Sequence, residues 1–223
     1  MAHTFAIREQ IIHGELSLED HPNILKLHSY SSSEDSYNLY LEHADMGEYL
    51  SSKVLENFTP LGQIELQEVS QQLLKALAFI HSKGIIHCDL KLENILLTSQ
   101  SAHSPCVKLA DFGLSHKLQP NSNCAYMSAL CGTFGYIAPE QRPQSYISTA
   151  VDMYSFGILL HEMAVAYKPQ FLSKKEGRLS YREADWRGVE KQKELQELIC
   201  LCLRGNPKER PTAQEALEHE YYL

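Results

Sequence analysis

The stretch IIHCDLKLENILL, residues 85–97, decides the fold. It begins and ends with apolar residues typical of buried strands, and within eight positions it carries five polar side chains: His87, Asp89, Lys91, Glu93 and Asn94. Burying such groups costs free energy unless they pair with one another or hold a ligand. The stretch therefore predicts a polar site between two short buried strands.

The segments before this stretch predict a helix, a β-hairpin and a second helix. Residues 4–20 have a helical pattern, residues 21–30 and 37–42 are strand-like, and the turn SSSEDS separates the two strands. From Gln63 to Ser82, apolar residues recur at the three- and four-residue spacing of a helix with one buried face. Lys83-Gly84 is a usual end for such a helix.

The segments after it predict a strand, a long loop and several helices. CVKLA, residues 106–110, reads as a short strand, and residues 111–148 show no period, which is typical of a functional loop. Residues 149–165 are apolar on nearly every face and predict a buried central helix, whereas residues 191–203 have one apolar face. Pro211 to Glu215 contain a capping box that starts a last helix. We expect an α+β fold with a few early strands and mostly helix afterwards.

Composition and charge exclude several classes of protein. The chain has 223 residues, 43% of them hydrophobic, which is enough for one large domain or two small ones. A formal net charge of −8 argues against nucleic acid or an anionic membrane as a partner, because both bind basic surfaces. No segment reads as a signal peptide or a membrane span. The six cysteines form no CxxC pair, so their spacing predicts a reduced, intracellular, cytoplasmic protein without a zinc site.

The polar residues suit phosphoryl transfer. Asp111 directly follows the strand CVKLA, so a hairpin would bring Asn94 and Asp111 to the same end of a small sheet. Two oxygen ligands suit Mg²⁺, which takes few carboxylates and keeps phosphates and water as its other ligands. Asp89 is then free to accept a proton, and Lys91 to contact a phosphate. In-line phosphoryl transfer requires this combination of metal, counter-charge and base.

These residues stand in motifs that resemble the eukaryotic protein kinase family of the serine/threonine type. HCDLKLEN at 87–94 resembles its catalytic loop, DFG at 111–113 its metal-binding triplet, and APE at 138–140 the close of its activation segment. HPNILKL, YNLYLEHADMGEYL, STAVDMYSFGILLHEM and NPKERPTAQEAL resemble its strand-four approach, hinge, central helix and final helices. The likeness runs from about Ile7 to the end, with every motif in family order. It implies a protein-kinase-like fold.

The resemblance implies catalytic and metal-binding roles for the matching residues. Asp89 would orient the substrate hydroxyl and accept its proton, and Lys91 would stabilise the transferred phosphoryl group. Asn94 would complete this catalytic set and, together with Asp111, would hold Mg²⁺. Lys91 and Thr133, which lies ahead of Tyr136, resemble the serine/threonine class.

The resemblance also implies a nucleotide site. The backbone of Glu42 and Ala44 would contact adenine, Leu96 would cover the adenine face, and Glu48 would bind the ribose. Glu48 could equally be a solvated surface residue. Leu41 occupies the position of the family's gatekeeper.

Further residues match the family's structural contacts. Glu140 and Arg210 would form a buried ion pair, and Asp152 would accept backbone N–H bonds from the catalytic loop. A packed hydrophobic spine would include three residues: Leu27, His87 and Phe112. We expect His87 to be a packed imidazole rather than a base.

The resemblance divides the chain into two parts. Residues 1–42 would be a partial N-terminal lobe with the C-helix and two strands, and residues 43–223 would be a C-terminal lobe with the catalytic loop and activation segment. The sequence has no GxGxxG loop and no lysine before Lys26, although Glu9 resembles the C-helix glutamate that pairs with such a lysine. Three explanations stay open: a fragment truncated at the N-terminal lobe, a naturally short pseudokinase, and a self-sufficient enzyme.

The catalytic loop reads HCD where most of the family has HRD. The family's arginine pairs with a phosphate on the activation loop, and Cys88 cannot do so. The position that aligns with the usual phosphorylation site is Ala129. We therefore expect that loop phosphorylation does not switch this protein on, with Ser128 as the nearest alternative acceptor.

The resulting prediction is a serine/threonine protein kinase that transfers the γ-phosphoryl group of ATP, with Mg²⁺, to a protein hydroxyl. The alternative is a truncated or pseudokinase-like C-terminal lobe that binds a protein partner as a scaffold without catalysis. The expected partner is a protein substrate, with neither nucleic acid nor membrane involved.

Overall fold

The computed structural model describes residues 2–33, 36–99, 105–169, 171–175, 178–181, 186 and 188–223, and it describes the backbone alone for 2–5, 171–175 and 178–181. No helix in these ranges is both long and apolar enough to cross a bilayer.

The first elements are one helix and a hairpin. Helix α1 (Ala2–Ser17) packs against an antiparallel pair, β1 (Leu27–Ser32) and β2 (Tyr37–Leu41). Ile12 and Leu16 of α1 are buried in the main core. The helix and the hairpin predicted from the sequence are both present.

Helix α3 (Gln63–Ser82) is the long amphipathic helix predicted between those residues. Its apolar face is buried, and it ends at Lys83-Gly84, where Gly84 has a φ of +68° that a residue with a side chain rarely adopts. A short helical segment precedes it, made of α2 (Tyr49–Ser51) and a π-helical turn (Ser52–Glu56).

Two small antiparallel ladders lie on either side of the polar stretch. β3 (Ile85–Ile86) pairs with β6 (His116–Lys117), and β4 (Ile95–Ser99) pairs with β5 (Pro105–Leu109). A 3₁₀ turn, Leu92–Asn94, leads into β4. The two apolar ends of the stretch are therefore short buried strands, as the sequence predicts.

The loop predicted for residues 111–148 contains three strands, and this part of the prediction needs correction. Besides β6, it holds β7 (Ala125–Met127) and β8 (Ser145–Ile147), which pair with each other. Strands of two or three residues are too short to leave a recognisable alternation in the sequence. A further hairpin follows, formed by β9 (Phe171–Lys175) and β10 (Arg178–Tyr181).

Three helices complete the C-terminal half. In α4 (Ala150–Val165), every residue from Val151 onward is buried, as its apolar composition predicts. Helix α5 (Lys193–Cys202) buries one face. The predicted capping box at Thr212 and Glu215 is confirmed and starts α6 (Ala213–Leu217). Short 3₁₀ turns at Pro207–Glu209 and Glu220–Tyr222 flank α6.

Backbone hydrogen bonds join the first elements to the rest. Leu25 N–H donates to the Leu109 carbonyl at 3.0 Å, and Leu109 N–H donates to the Asn23 carbonyl at 2.9 Å. The buried Asn23 amide also donates to the Val107 carbonyl at 3.0 Å. Because these bonds involve β5, the hairpin that leads to Asp111 is fixed to the segment between α1 and β1.

Candidate active site

The β4–β5 hairpin brings the two ends of the polar site together. Ile95 pairs with Leu109 in the ladder, so Asn94 immediately precedes the hairpin and Asp111 lies two residues after its end. The Ala110 N–H donates to the Asn94 carbonyl at 2.9 Å, which extends the pairing beyond the strands. Asn94 and Asp111 therefore lie at one end of this sheet, as the sequence predicts.

The backbone of residues 87 and 88 is held by a carboxylate from α4. Asp152 accepts N–H bonds from His87 at 2.8 Å and from Cys88 at 2.9 Å, and it contacts His81 Nε2 at 2.8 Å. Burial acts to raise the pKa of Asp152, but the bonds from His81 and the His87 backbone outweigh it, so the pKa lies below its ordinary value. The predicted role of Asp152 is confirmed.

Asp89 is the centre of a hydrogen-bonded group. Thr133 donates its hydroxyl proton to Asp89 Oδ1 at 2.7 Å, and Lys91 Nζ lies 3.1 Å from Asp89 Oδ2 and 3.2 Å from the Thr133 hydroxyl. The Asn94 amide nitrogen donates to the Asp89 carbonyl at 2.9 Å. The structure thus brings together the three residues predicted to be catalytic, and it adds Thr133, whose contact with Asp89 the sequence did not predict.

Asp111 lies at the exposed edge of the site. Its backbone has a φ of +63°, and its Oδ1 accepts the Gly113 N–H at 3.2 Å. The next residue, Phe112, is fully buried, and its ring lies 5.1 Å from that of His87. The His87 Nε2 contacts the Ala110 carbonyl at 3.1 Å, so His87 is a packed imidazole, as predicted.

A ring of α1 that was not predicted packs against Phe112. The His13 ring of α1 lies 5.0 Å from the Phe112 ring, and His13 Nε2 contacts the Leu25 carbonyl. Leu27 is buried but lies outside the main core cluster. The structure therefore adds His13 to this spine, and the contribution of Leu27 stays a prediction.

Glu9 of α1 also faces this site. Its Oε2 and the Asp111 Oδ1 both lie near Gly113, and the Phe112 N–H donates to its carboxylate. Burial and the nearby Asp111 charge raise the pKa of Glu9 to about 7, against the opposite effect of the Phe112 bond. Glu9, which resembles the C-helix glutamate, therefore places a second carboxylate beside Asp111.

The segment that follows β2 pairs with β4 near the predicted nucleotide residue Leu96. Met46 N–H donates to the Leu97 carbonyl at 3.1 Å, and Leu97 N–H donates to the Gly47 carbonyl at 3.0 Å. The antiparallel bridge between Gly47 and Leu97 sets Glu48 opposite half-buried Leu96, and the Ala44 carbonyl accepts the Gly47 N–H at 3.0 Å in the turn before it.

The side chains of Glu42, Glu48 and Leu41 differ in their contacts and exposure. Glu42 points its carboxylate to Lys108 Nζ at 2.7 Å, and Glu48 is exposed. Leu41, matched to the gatekeeper, is partly exposed.

Glu140 and Arg210 form the predicted ion pair. The Arg210 guanidinium donates to both Glu140 oxygens, at 2.6 and 2.8 Å, and the Arg210 side chain is fully buried. It also donates to the carbonyls of Ala150 and Arg204. The pair therefore fixes the end of residues 111–140 to the beginning of α4 and to the segment after α5.

Comparison with known proteins agrees with this geometry. The sequence model described as "Protein kinase domain" matches residues 2–222. Serine/threonine-protein kinase 17A of Oryctolagus cuniculus is 32% identical over 96% of this chain and 55% of its own length. Calcium/calmodulin-dependent protein kinase type II of Caenorhabditis elegans is 34% identical over 89% of this chain and 28% of its own length.

A third relative, calcium-dependent protein kinase 5 of Plasmodium falciparum, is 32% identical over 91% of this chain and 36% of its own length. The chain thus spans about half or less of the length of these curated relatives. Because the family model covers nearly every residue, the chain belongs to the protein kinase family.

Proposed function

We propose that this protein transfers the γ-phosphoryl group of Mg-ATP to a serine or threonine hydroxyl of a protein. One observation carries the proposal: the Thr133 hydroxyl donates to Asp89 at 2.7 Å while Lys91 Nζ lies 3.2 Å from the same oxygen. A substrate hydroxyl placed in that position would meet a proton acceptor and a cation together. This arrangement supports a role for Asp89 in orienting the hydroxyl and for Lys91 in stabilising the phosphoryl group.

The residues at the end of the β4–β5 hairpin fit a magnesium ion. The Asn94 amide nitrogen donates to the Asp89 carbonyl, which turns the amide oxygen away from that bond. Asp111 supplies an exposed carboxylate at the same end of the sheet. These hard oxygen donors are the ligands that Mg²⁺ prefers, and the bound ion would neutralise phosphate charge.

The segment that pairs with β4 would hold the nucleotide base. The proposal assigns the backbone of Glu42 and Ala44 and the side chain of Leu96 to adenine, and Glu48 to the ribose. The bonds of Met46 and Gly47 to Leu97 support it, because they keep this segment beside β4. We also propose a cytoplasmic location, where free thiols such as the six in this chain persist.

The test is phosphate transfer from γ-labelled ATP to a generic basic protein, with wild-type chain and Asp89→Asn. We expect Asp89→Asn to lower the rate by about 10²–10⁴-fold, the usual contribution of a general base. Asp20→Asn is the matched control, since Asp20 is exposed and pairs with Lys26 outside the site. A rate that survives Asp89→Asn would come from a contaminating kinase and would refute the proposal.

A non-catalytic scaffold is the second candidate. Glu9 favours it, because this carboxylate beside Asp111 adds negative charge where phosphates would bind. If the chain is a scaffold, it should bind ATP weakly with or without Mg²⁺, and Glu9→Gln should strengthen ATP binding. Calorimetric titration of wild type and Glu9→Gln with Mg-ATP distinguishes the candidates, because the kinase reading requires measurable Mg-dependent binding by the wild type.

A further inference from the structure

Three metal-binding side chains meet beside the proposed active site. Cys88 of the 87–94 loop, His116 of β6 and Cys131 each offer one donor atom, and these three atoms all lie within 4.8 Å of one another. The residues are far apart in the sequence, so no spacing motif indicates a metal site. The cysteine spacing alone predicts no zinc site, and it is the fold that creates the cluster.

The distances suit a tetrahedral ion. Cys88 Sγ lies 3.6 Å from His116 Nδ1. With Zn–S bonds of about 2.3 Å and Zn–N bonds of about 2.0–2.1 Å, a tetrahedral site has an S···N edge of roughly 3.6 Å and an S···S edge of roughly 3.8 Å. The distance between Cys88 Sγ and His116 Nδ1 already has this length. Cys131 needs only a small side-chain movement to bring its Sγ to the third ligand position.

The backbone around the cluster explains why these side chains meet. In the β3–β6 ladder Ile86 pairs with His116, which places His116 beside the loop that continues to Cys88. Cys88 has a φ of +69°, and its N–H is fixed by Asp152. Gly132 approaches the Cys88 carbonyl so closely that the preceding residue, Cys131, is brought over the loop.

The three groups differ in their protonation. A hydrogen bond between the thiols raises the pKa of Cys88 and lowers the pKa of Cys131. Burial, followed by Arg8, lowers the pKa of His116, so its ring is neutral at neutral pH and carries a proton on only one of its two nitrogens. The carboxylates of Asp89 and Asp152 act on Cys131 and add negative charge around the cluster.

The other groups around the cluster include a positive charge and a thioether sulfur. Arg8 adds one positive charge, which favours the thiolate forms. Met127 is buried and places its sulfur 3.3 Å from Cys131 Sγ, so the cluster lies in a sulfur-rich, partly desolvated position. Thiolate and imidazole ligands select zinc-type ions over Mg²⁺ and Ca²⁺, which require oxygen donors.

We propose that Cys88 Sγ, His116 Nδ1 and Cys131 Sγ bind one Zn²⁺ ion, with water in the fourth position. Nδ1 also lies 3.1 Å from the Leu114 carbonyl, to which it donates when it carries the proton. On binding, that proton is given up in favour of the Nε2–H tautomer, and each cysteine that is still protonated releases one proton to solvent. No oxidation or reduction is involved.

The ion would join three segments: the 87–94 loop, β6 and the segment before Thr133. Thr133, two residues after Cys131, donates to Asp89. Zinc would therefore hold the Thr133 hydroxyl over Asp89. Zinc binding itself does not depend on the proposed phosphoryl transfer. It is therefore tested by metal binding, without any measurement of catalysis.

The test uses the full chain, reduced and metal-free. We expect one Zn²⁺ per chain in competition with a chromophoric chelator. Co²⁺ should give thiolate charge-transfer absorption together with the visible bands of a tetrahedral site. Cys88→Ser, Cys131→Ser and His116→Ala should each weaken binding by more than the roughly 10–100-fold that loss of an outer hydrogen-bond partner causes. Cys124→Ser and Cys200→Ser, at exposed cysteines outside the cluster, should bind like wild type.

A second readout covers variants that fold poorly. Zn²⁺ should raise the melting temperature of the wild type and protect half-buried Cys131, but not exposed Cys124, from alkylation. The proposal is overturned if the Cys88→Ser/Cys131→Ser double variant keeps the cobalt charge-transfer absorption. It is equally overturned if the reduced wild type binds no zinc and instead forms a Cys88–Cys131 disulfide on oxidation.

Discussion

Gly132 lies so close to Cys88 that a β-carbon added to it would stand 2.8 Å from the Cys88 carbonyl oxygen. Gly132 also has a φ of +105°, which residues with side chains rarely adopt. Both constraints act on the segment that carries Cys131 and Thr133. The close approach of this segment to the 87–94 loop therefore requires glycine at position 132.

Gly132→Ala should destabilise the protein by about 1–3 kcal/mol, the usual size of such backbone strain, and should move Thr133 away from Asp89. Urea unfolding measures the change in free energy. Gly14→Ala is the control: among the described residues, no atom beyond the neighbouring backbone of α1 lies within 4 Å of the added carbon. In the interior of α1, alanine should stabilise by about 0.5–1 kcal/mol. Equal effects at the two glycines would contradict the role of Gly132.

Glu140→Gln should cost about 3–5 kcal/mol, because it leaves the buried Arg210 guanidinium without its counter-charge. The loss is measured as the change in unfolding free energy in urea. The control Asp20→Asn breaks the exposed pair with Lys26 and should cost at most about 1 kcal/mol. A loss below 1 kcal/mol for Glu140→Gln would show that the pair does not hold residues 111–140 to α4.

Glu9 should make the protein less stable as pH rises. Its pKa is about 7 when folded, against 4.5 ordinarily, so between these values the folded state binds more protons than the unfolded state. The stabilising effect of this carboxyl group is complete below pH 4.5 and is lost as pH rises through 7. Glu9→Gln should match wild type at low pH and melt at a higher temperature than wild type at pH 8, measured without Mg²⁺ or nucleotide.

A variant that instead lowered the melting temperature across the whole range would show that the Phe112 bond to Glu9 outweighs its repulsion from Asp111. Glu15→Gln is the control, because Glu15 pairs with Lys117 at the surface of the same helix and should show no such dependence.

Ser128→Ala should retain the wild-type rate of phosphate transfer, and Ser128→Glu should not raise it. Ser128 and Ala129 are exposed, Ala129 has no hydroxyl, and Cys88 is a buried thiol in contact with His116. The assay is the one proposed for Asp89→Asn. A rate lost in Ser128→Ala and restored in Ser128→Glu would contradict this expectation.

Much of the fold could be predicted because it follows from regular patterns. Helix α3 has the predicted bounds, since one apolar face of twenty residues leaves a clear period. Helix α4 was recognisable from its apolar composition, and the capping box at Thr212 from its spacing. The meeting of Asn94 and Asp111 followed from the hairpin between them, since a tight antiparallel pair leaves little freedom.

Other features had no local signal. Strands β6, β7 and β8 form because they pair with other segments. A strand of two or three residues is too short to show an alternating pattern in the sequence. The contact of His13 with Phe112 depends on the rotation of α1 against the core, which an apolar pattern does not determine to one residue. The cluster of Cys88, His116 and Cys131 depends on pairing between distant segments, so only coordinates reveal it.

The attachment of the 87–94 loop to Asp152 has an evolutionary consequence. Asp152 belongs to a helix with no solvent-facing side, so the placement of the reactive groups depends on a fully buried element. The outer surface, where another protein would be recognised, is not needed for that placement. Descendants of this sequence can therefore acquire new targets by exchanging outer residues while the same chemistry is preserved.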